Sequence, residues 1–143
     1  MLTAACPLLS ADELQALLGG GISKTKLTAI EDKPTTTTVD TSYMCEYGSN
    51  GNNPFALDVS GSKSQDGFTP KAAIDAIAKA AKTTTHSVTG VGVAAVFYTV
   101  NGISVLAAAK VTHGQLRTVV FSAPAVVPEQ KFIDVVRLMI DRI

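Results

Sequence analysis

The sequence predicts an α+β domain, with one antiparallel sheet of about six strands in the order α-βββ-α-βββ-α and helices over both faces. Three observations carry that expectation. Apolar runs at residues 93–100, 103–111 and 116–122 follow one another with only Asn101-Gly102 and the segment around His113-Gly114 between them. Helix signatures stand at the start, middle and end of the chain. Both faces of the central hairpin are largely apolar, whereas a sheet with one wet side would place a polar residue at every second position.

The elements follow in order. Ser10-Ala11-Asp12-Glu13 reads as a capping box, with the serine hydroxyl serving one orphan N–H and the Glu13 carboxylate reaching back to the cap. A helix over 10–18 follows, with Leu14, Leu17 and Leu18 as its apolar stripe. Gly19-Gly20-Gly21 ends it, because glycine enters the left-handed cap freely. A loosely alternating strand occupies 22–32, with Ile22, Leu27 and Ile30 as inward residues. Pro34 and four threonines interrupt it. A second strand at 41–47 and a third at 55–60 flank the turn-forming stretch at 49–54. Gly67-Phe68-Thr69-Pro70 opens a helix over 70–82, capped by Thr69 and with proline at the first helical position, where a missing N–H costs nothing.

Asn101-Gly102 is a strong type I′ hairpin signal that sets Val100 opposite Ile103. Ala94, Val96, Tyr98 and Val100 then share a face with Ile103, Val105, Ala107 and Ala109. Ala95, Phe97 and Thr99 share the other with Ser104, Leu106, Ala108 and Lys110. A two-residue turn at His113-Gly114 would place Lys110 opposite Arg117, a like-charge pair that costs stability. The last helix starts at Pro128 and runs to the C-terminus. Phe132, Val135, Val136, Met139, Ile140 and Ile143 lie at helical spacing along it.

Length and composition bound the function. A chain of 143 residues makes a single domain over 1–143, with 1–5 a flexible N-terminus. Twelve basic residues balance twelve acidic ones, so there is no electrostatic footprint for nucleic acid. With 46% hydrophobic residues the chain is not disordered, and its longest apolar runs are too short to span a membrane. The N-terminus lacks signal-peptide regions, which leaves a cytosolic protein or a mature region restarted with an initiator methionine; the second is favoured.

Little in the chain carries chemistry. Cys6 and Cys45 lie near no other cysteine or histidine at ligand spacing, which argues against zinc. Their separation fits one structural disulfide or two buried thiols. Leu2 to Cys6 faintly resembles a lipobox, but no apolar stretch precedes it. His86 and His113 have no nucleophile motif beside them, and neither glycine run opens a helix as a phosphate loop does. No catalytic residue, metal site or cofactor is expected.

Three landmarks carry a resemblance: Cys6-Pro7-Leu8-Leu9-Ser10-Ala11-Asp12-Glu13-Leu14, then Cys45-Glu46-Tyr47, then Gly90-Val91-Gly92-Val93-Ala94-Ala95. Together they resemble small exported bacterial cell-envelope proteins of unknown function, often lipid-anchored in the precursor. Val93 departs from the aspartate usual there. The resemblance implies an exported protein, periplasmic or at the cell surface, a Cys6 to Cys45 disulfide and a PsbP-like helix-sheet-helix sandwich. It implies no catalytic residues.

The leading functional expectation is a non-enzymatic domain that binds an envelope protein or a small apolar ligand, as monomer or homodimer. Ala94, Ala107 and Ala109 are small enough to leave a groove under a helix, and Phe97 with Leu106 marks a possible dimer face. An enzyme would need polar residues such as Tyr43, Glu46 or Tyr47 to gather beside His86.

Overall fold

The computed structural model describes residues 2–22, 25–38, 40–63 and 68–143. Gly67, expected just before the second helix, lies outside them. A 3₁₀ turn at Cys6–Leu8 leads into α1 (Ala11–Leu18), β1 (Thr28–Glu31), β2 (Thr35–Thr36), β3 (Asp40–Ser49) and β4 (Asn52–Lys63). Then come α2 (Pro70–Ala81), β5 (Thr85–Ser87), β6 (Ala94–Val100), β7 (Ile103–Thr112), β8 (Gln115–Pro124) and α3 (Glu129–Arg142). The strands form one antiparallel sheet in the order β1-β3-β4-β8-β7-β6-β5, with β2 paired to β3. The α+β class and antiparallel sheet are as expected, but there are eight strands among the described residues, not about six. The additions are β2 and β5, each too short to show a period of two.

Three hairpins share one device. Asn50-Gly51, Asn101-Gly102 and His113-Gly114 all have positive φ at both residues, the type I′ condition that matches the sheet's twist. Val100 therefore pairs with Ile103, and Lys110 does face Arg117. Pro54 sits inside β4 without penalty because pairing to β8 begins only at Ala56, and the register with β3 shifts between Tyr47 and Ser49.

One face of the sheet holds the main core. Cys45, Tyr47, Leu57, Leu106, Val119 and Phe121 are fully buried there with Leu14 and Leu18 of α1 and Phe132, Val135, Val136 and Met139 of α3. The opposite face holds a smaller cluster in which Ile74 of α2 packs on Val96, Ala107, Ala109 and Leu116. Ile30, expected inward, is 49% exposed. Its register with Glu46 puts it on the side away from Cys45 and Tyr47, whereas Leu27, also expected inward, is buried and Ile22 packs on the core.

Several of the first described residues are held by the rest of the fold. Ala5 is buried, Leu2 packs on the core, and the Glu31 carboxylate accepts from the N–H groups of Ala5 and Cys6. Cys6 is bonded to Cys45, which removes the thiol that acylation of Cys6 would need. Tyr47 donates its hydroxyl to the Leu9 carbonyl at 2.7 Å, and burial pushes its phenol upward from the ordinary value.

The capping box of α1 forms as expected and also joins the two helices of the main core. Arg142 Nη2 donates to Glu13 Oε2 at 2.6 Å, while its Nη1 donates to the Leu8 carbonyl at 2.6 Å. The Arg142 hydrogen bond, then the capping N–H of Ser10, hold the Glu13 carboxyl down at about 2 against an ordinary 4.5. Its folded value being the lower one, Glu13 stabilises the fold fully above 4.5, and that contribution is lost as pH falls toward about 2. The pair is part-exposed, so its worth is below about 1 kcal/mol. Urea midpoints measured across that window should fall less steeply in Glu13→Gln than in the parent; equal slopes would refute the assignment.

Candidate functional site

The α2 face of the sheet is only half covered. α2 packs on β6 and β7 and touches β8, and no helix makes more than marginal contact with the same face of β3 or β4. The register gives the rows that cross this face from the covered half to the uncovered one. One row runs Tyr98, Val105, Ser122, Ala56, Glu46, Ile30; the next runs Val96, Ala107, Val120, Asp58, Met44. Asp32 extends the β1 pairing through its N–H to the Met44 carbonyl at 2.9 Å.

This bare area is acidic as well as apolar. Asp40, Glu46 and Asp58 lie on it with Asp32 beside them, and none has an ion pair among the described residues. Like charges act on one another here. The adjoining Asp32, through a hydrogen bond and then its charge, raises the Glu46 carboxyl above its ordinary value; burial first and Asp40 second do the same to Asp58. The described residues of β1, β3, β4 and β8 that face this side include no lysine or arginine. A cation brought to the face would relieve a standing repulsion.

A cleft of about 470 Å³ opens on the other flank of α2, between its first turns and residues 87–95. Ile74, Val88, Val93, Ala94 and Ala95 give it an apolar lining, and Lys71 and Asp75 form an ion pair at 2.8 Å on its rim. Gly92 shapes it. Its φ is +62°, and a methyl group there would press on the Ala109 carbonyl, so only glycine lets the chain turn this close to β7. Val91 on one side of it is buried in the main core, while Val93 on the other is 70% exposed.

The five residues singled out from sequence do not form one site. Ala107 and Ala109 are wholly buried beneath α2, whose side chains fill the space their small size leaves. Ala94 alone lines the cleft. Leu106 is buried under the α3 layer, and Phe97 packs edge-on against Phe132 at 5.3 Å, so the expected dimer face is already occupied by the protein's own helix. Sequence reasoning missed the bare half with Asp32, Met44, Glu46 and Asp58. Its signal was present in the alternation of β3, where acids and a methionine occupy the side facing away from Cys45 and Tyr47.

The polar set considered for catalysis is not assembled. His86 lies on β5 with its Nε2 2.8 Å from Glu129 Oε1, whereas Tyr43, Glu46 and Tyr47 lie on β3. Five strand spacings separate β3 from β5, about 24 Å. Glu46 also points to the face opposite Tyr43 and Tyr47. No group of three or more potential metal ligands occurs among the described residues. No protein-family model, curated protein or solved structure matches this chain.

Proposed function

We propose that this protein is an exported, non-enzymatic binding domain whose bare half-sheet takes a protein partner that presents basic residues beside apolar ones. The observation that carries this is the acids Asp32, Asp40, Glu46 and Asp58, with no ion pair among the described residues, interleaved with Ile30, Met44 and Ala56 on the half of the sheet face that α2 does not cover. Apolar side chains supply the area of such a contact, and opposite charge supplies its rate and specificity. Self-association through this face would set acid against acid. The resemblance to small exported cell-envelope proteins of PsbP-like fold supports the compartment. So does the Cys6–Cys45 bridge, since structural disulfides persist in oxidising surroundings. No helix among the described residues is long and apolar enough to cross a membrane.

A photo-crosslinking residue at Met44, compared with one at exposed Gln130, tests the reading in the host cell. The expected result is a discrete adduct from position 44 alone. Its yield should fall about tenfold when Asp32, Glu46 and Asp58 become amides, and should fall as salt is raised. An adduct insensitive to both changes, or none, would overturn it.

The cleft beside α2 favours a second reading, a small apolar ligand, because its volume lies within the usual range of ligand pockets. Ala94→Trp fills the cleft and separates the two. It would block uptake of such a ligand and leave the Met44 adduct unchanged.

A further inference from the structure

On the main-core side, at the end of the sheet away from Asn101-Gly102, one row crosses four strands: Lys110 on β7, Arg117 on β8, Gly61 on β4 and Thr41 on β3. Lys110 and Arg117 stand directly opposite each other. Like charges so placed repel, and neither has an acidic partner among the described residues. The Asp40 carboxylate next in sequence does not answer them, since it bonds the Thr37 hydroxyl at 2.8 Å and its register with Ser62 turns it to the other face.

Gly61 gives the guanidinium its place. A methyl group at that position would collide with Arg117 Nη1, so the side chain lies across the bare backbone of β4. The Arg117 Nε is buried and has no hydrogen-bond partner, the one such side-chain atom among the described residues. A buried donor left unpaired is costly and asks for an acceptor. Beside it is a cavity of about 170 Å³ lined by Leu2, Thr41, Tyr43, Gly61, Gln115 and Arg117. Among the described residues that line it, every polar side chain can donate a hydrogen bond and none is a carboxylate, and Lys110 adds a second positive charge across the strand.

We infer that Arg117, Lys110, Thr41, Tyr43 and Gln115 form a binding site for a phosphate-type oxyanion, as a free phosphate or phosphomonoester or as a lipid headgroup. Two cations with no acidic partner among the described residues suit a doubly charged anion better than a single carboxylate. The planar guanidinium fork fits two of its oxygens, and the neutral donors reach the others. The site is separate from the acidic half-sheet and does not depend on the proposed partner.

The test follows the Arg117 Nε–H resonance by NMR while inorganic phosphate is added to the whole protein, with chloride at matched ionic strength as control. Flotation with vesicles of phosphatidylcholine, with and without phosphatidic acid, forms a second arm. A saturable Nε–H shift with phosphate alone is expected, about tenfold weaker in Lys110→Gln and in Gly61→Ala, which keeps every charge but displaces the guanidinium. Arg117→Gln should abolish the accompanying shifts at Tyr43 and Gln115. Phosphate binding without vesicle binding identifies a soluble phosphate, whereas flotation that needs phosphatidic acid and Arg117 identifies a headgroup. The inference is overturned if chloride reproduces the shifts, if they survive Arg117→Gln, or if neither arm shows binding. Should Arg117→Gln fail to fold, the Lys110 and Gly61 variants decide on the same criteria.

Discussion

Breaking the Cys6–Cys45 bridge is expected to lower the stability of the protein by about 4 kcal/mol. The bridge spans a sequence separation of 39 and encloses the 3₁₀ turn, α1, β1 and β2. Releasing it returns that loop's entropy to the unfolded chain. The folded state keeps weaker ties across the same seam, the Glu31 carboxylate on the N–H groups of Ala5 and Cys6 and the Tyr47 hydroxyl on Leu9. Those ties let a reduced protein fold, but with a melting temperature lower by about 10–15 °C. Thermal melts of the parent and of Cys6→Ser/Cys45→Ser give the difference, and alkylation under denaturing conditions checks the covalent state. Two alkyl groups should add only after reduction. Two groups added without reductant would remove both the bridge and the argument for export.

Phe132→Ala should cost about 3–5 kcal/mol. Phe132 is wholly buried in the first turns of α3, between Phe97 at 5.3 Å and Phe121 at 5.5 Å, both in edge-on geometry. Its removal leaves a cavity between α3 and the centre of the sheet that the rigid strands cannot close, and takes away two aromatic contacts. Phe97→Ala should cost less, because Phe97 is only half-buried and the exposed His86 ring covers its other side. Denaturant midpoints of the two variants test the ordering. A Phe132→Ala loss no greater than that of Phe97→Ala would mean that α3 settles onto β7 and β8 without its aromatic anchor.

Much of the fold was legible because it rests on local rules. Ser10 and Glu13 make their reciprocal cap, Thr69 accepts from Ala72, and the apolar stripe of α3 is buried as its spacing requires. Asn101-Gly102 fixed the register of β6 and β7, and His113-Gly114 did the same for β7 and β8. That second turn placed Lys110 against Arg117, the pairing whose cost the sequence already announced. Other features were illegible for equally physical reasons. Ile30 and Leu27 both looked inward, but a strand presents one phase to the core, and pairing with β3 selected the phase that exposes Ile30. The sequence marked no strand at His86 because three residues show no period, and its pairing with Phe97 on β6 became visible only in the sheet.

The candidate site divides in the same way. From the sequence came the α+β class, the type I′ turn at Asn101-Gly102, the helix caps, the two apolar faces of the hairpin and the absence of any familiar catalytic motif, all properties of neighbours along the chain. Tertiary structure alone decided which parts of those faces stay open. A helix of 12 residues is about 18 Å long and about 10 Å wide, whereas the sheet's path of seven strands is about 29 Å across. α2 therefore shields β6 and β7 and leaves β3 and β4 bare with their acids. No local pattern encodes where along a sheet one helix will settle, since that position is set by the packing of Ile74 onto Val96, Ala107 and Ala109 from distant parts of the chain.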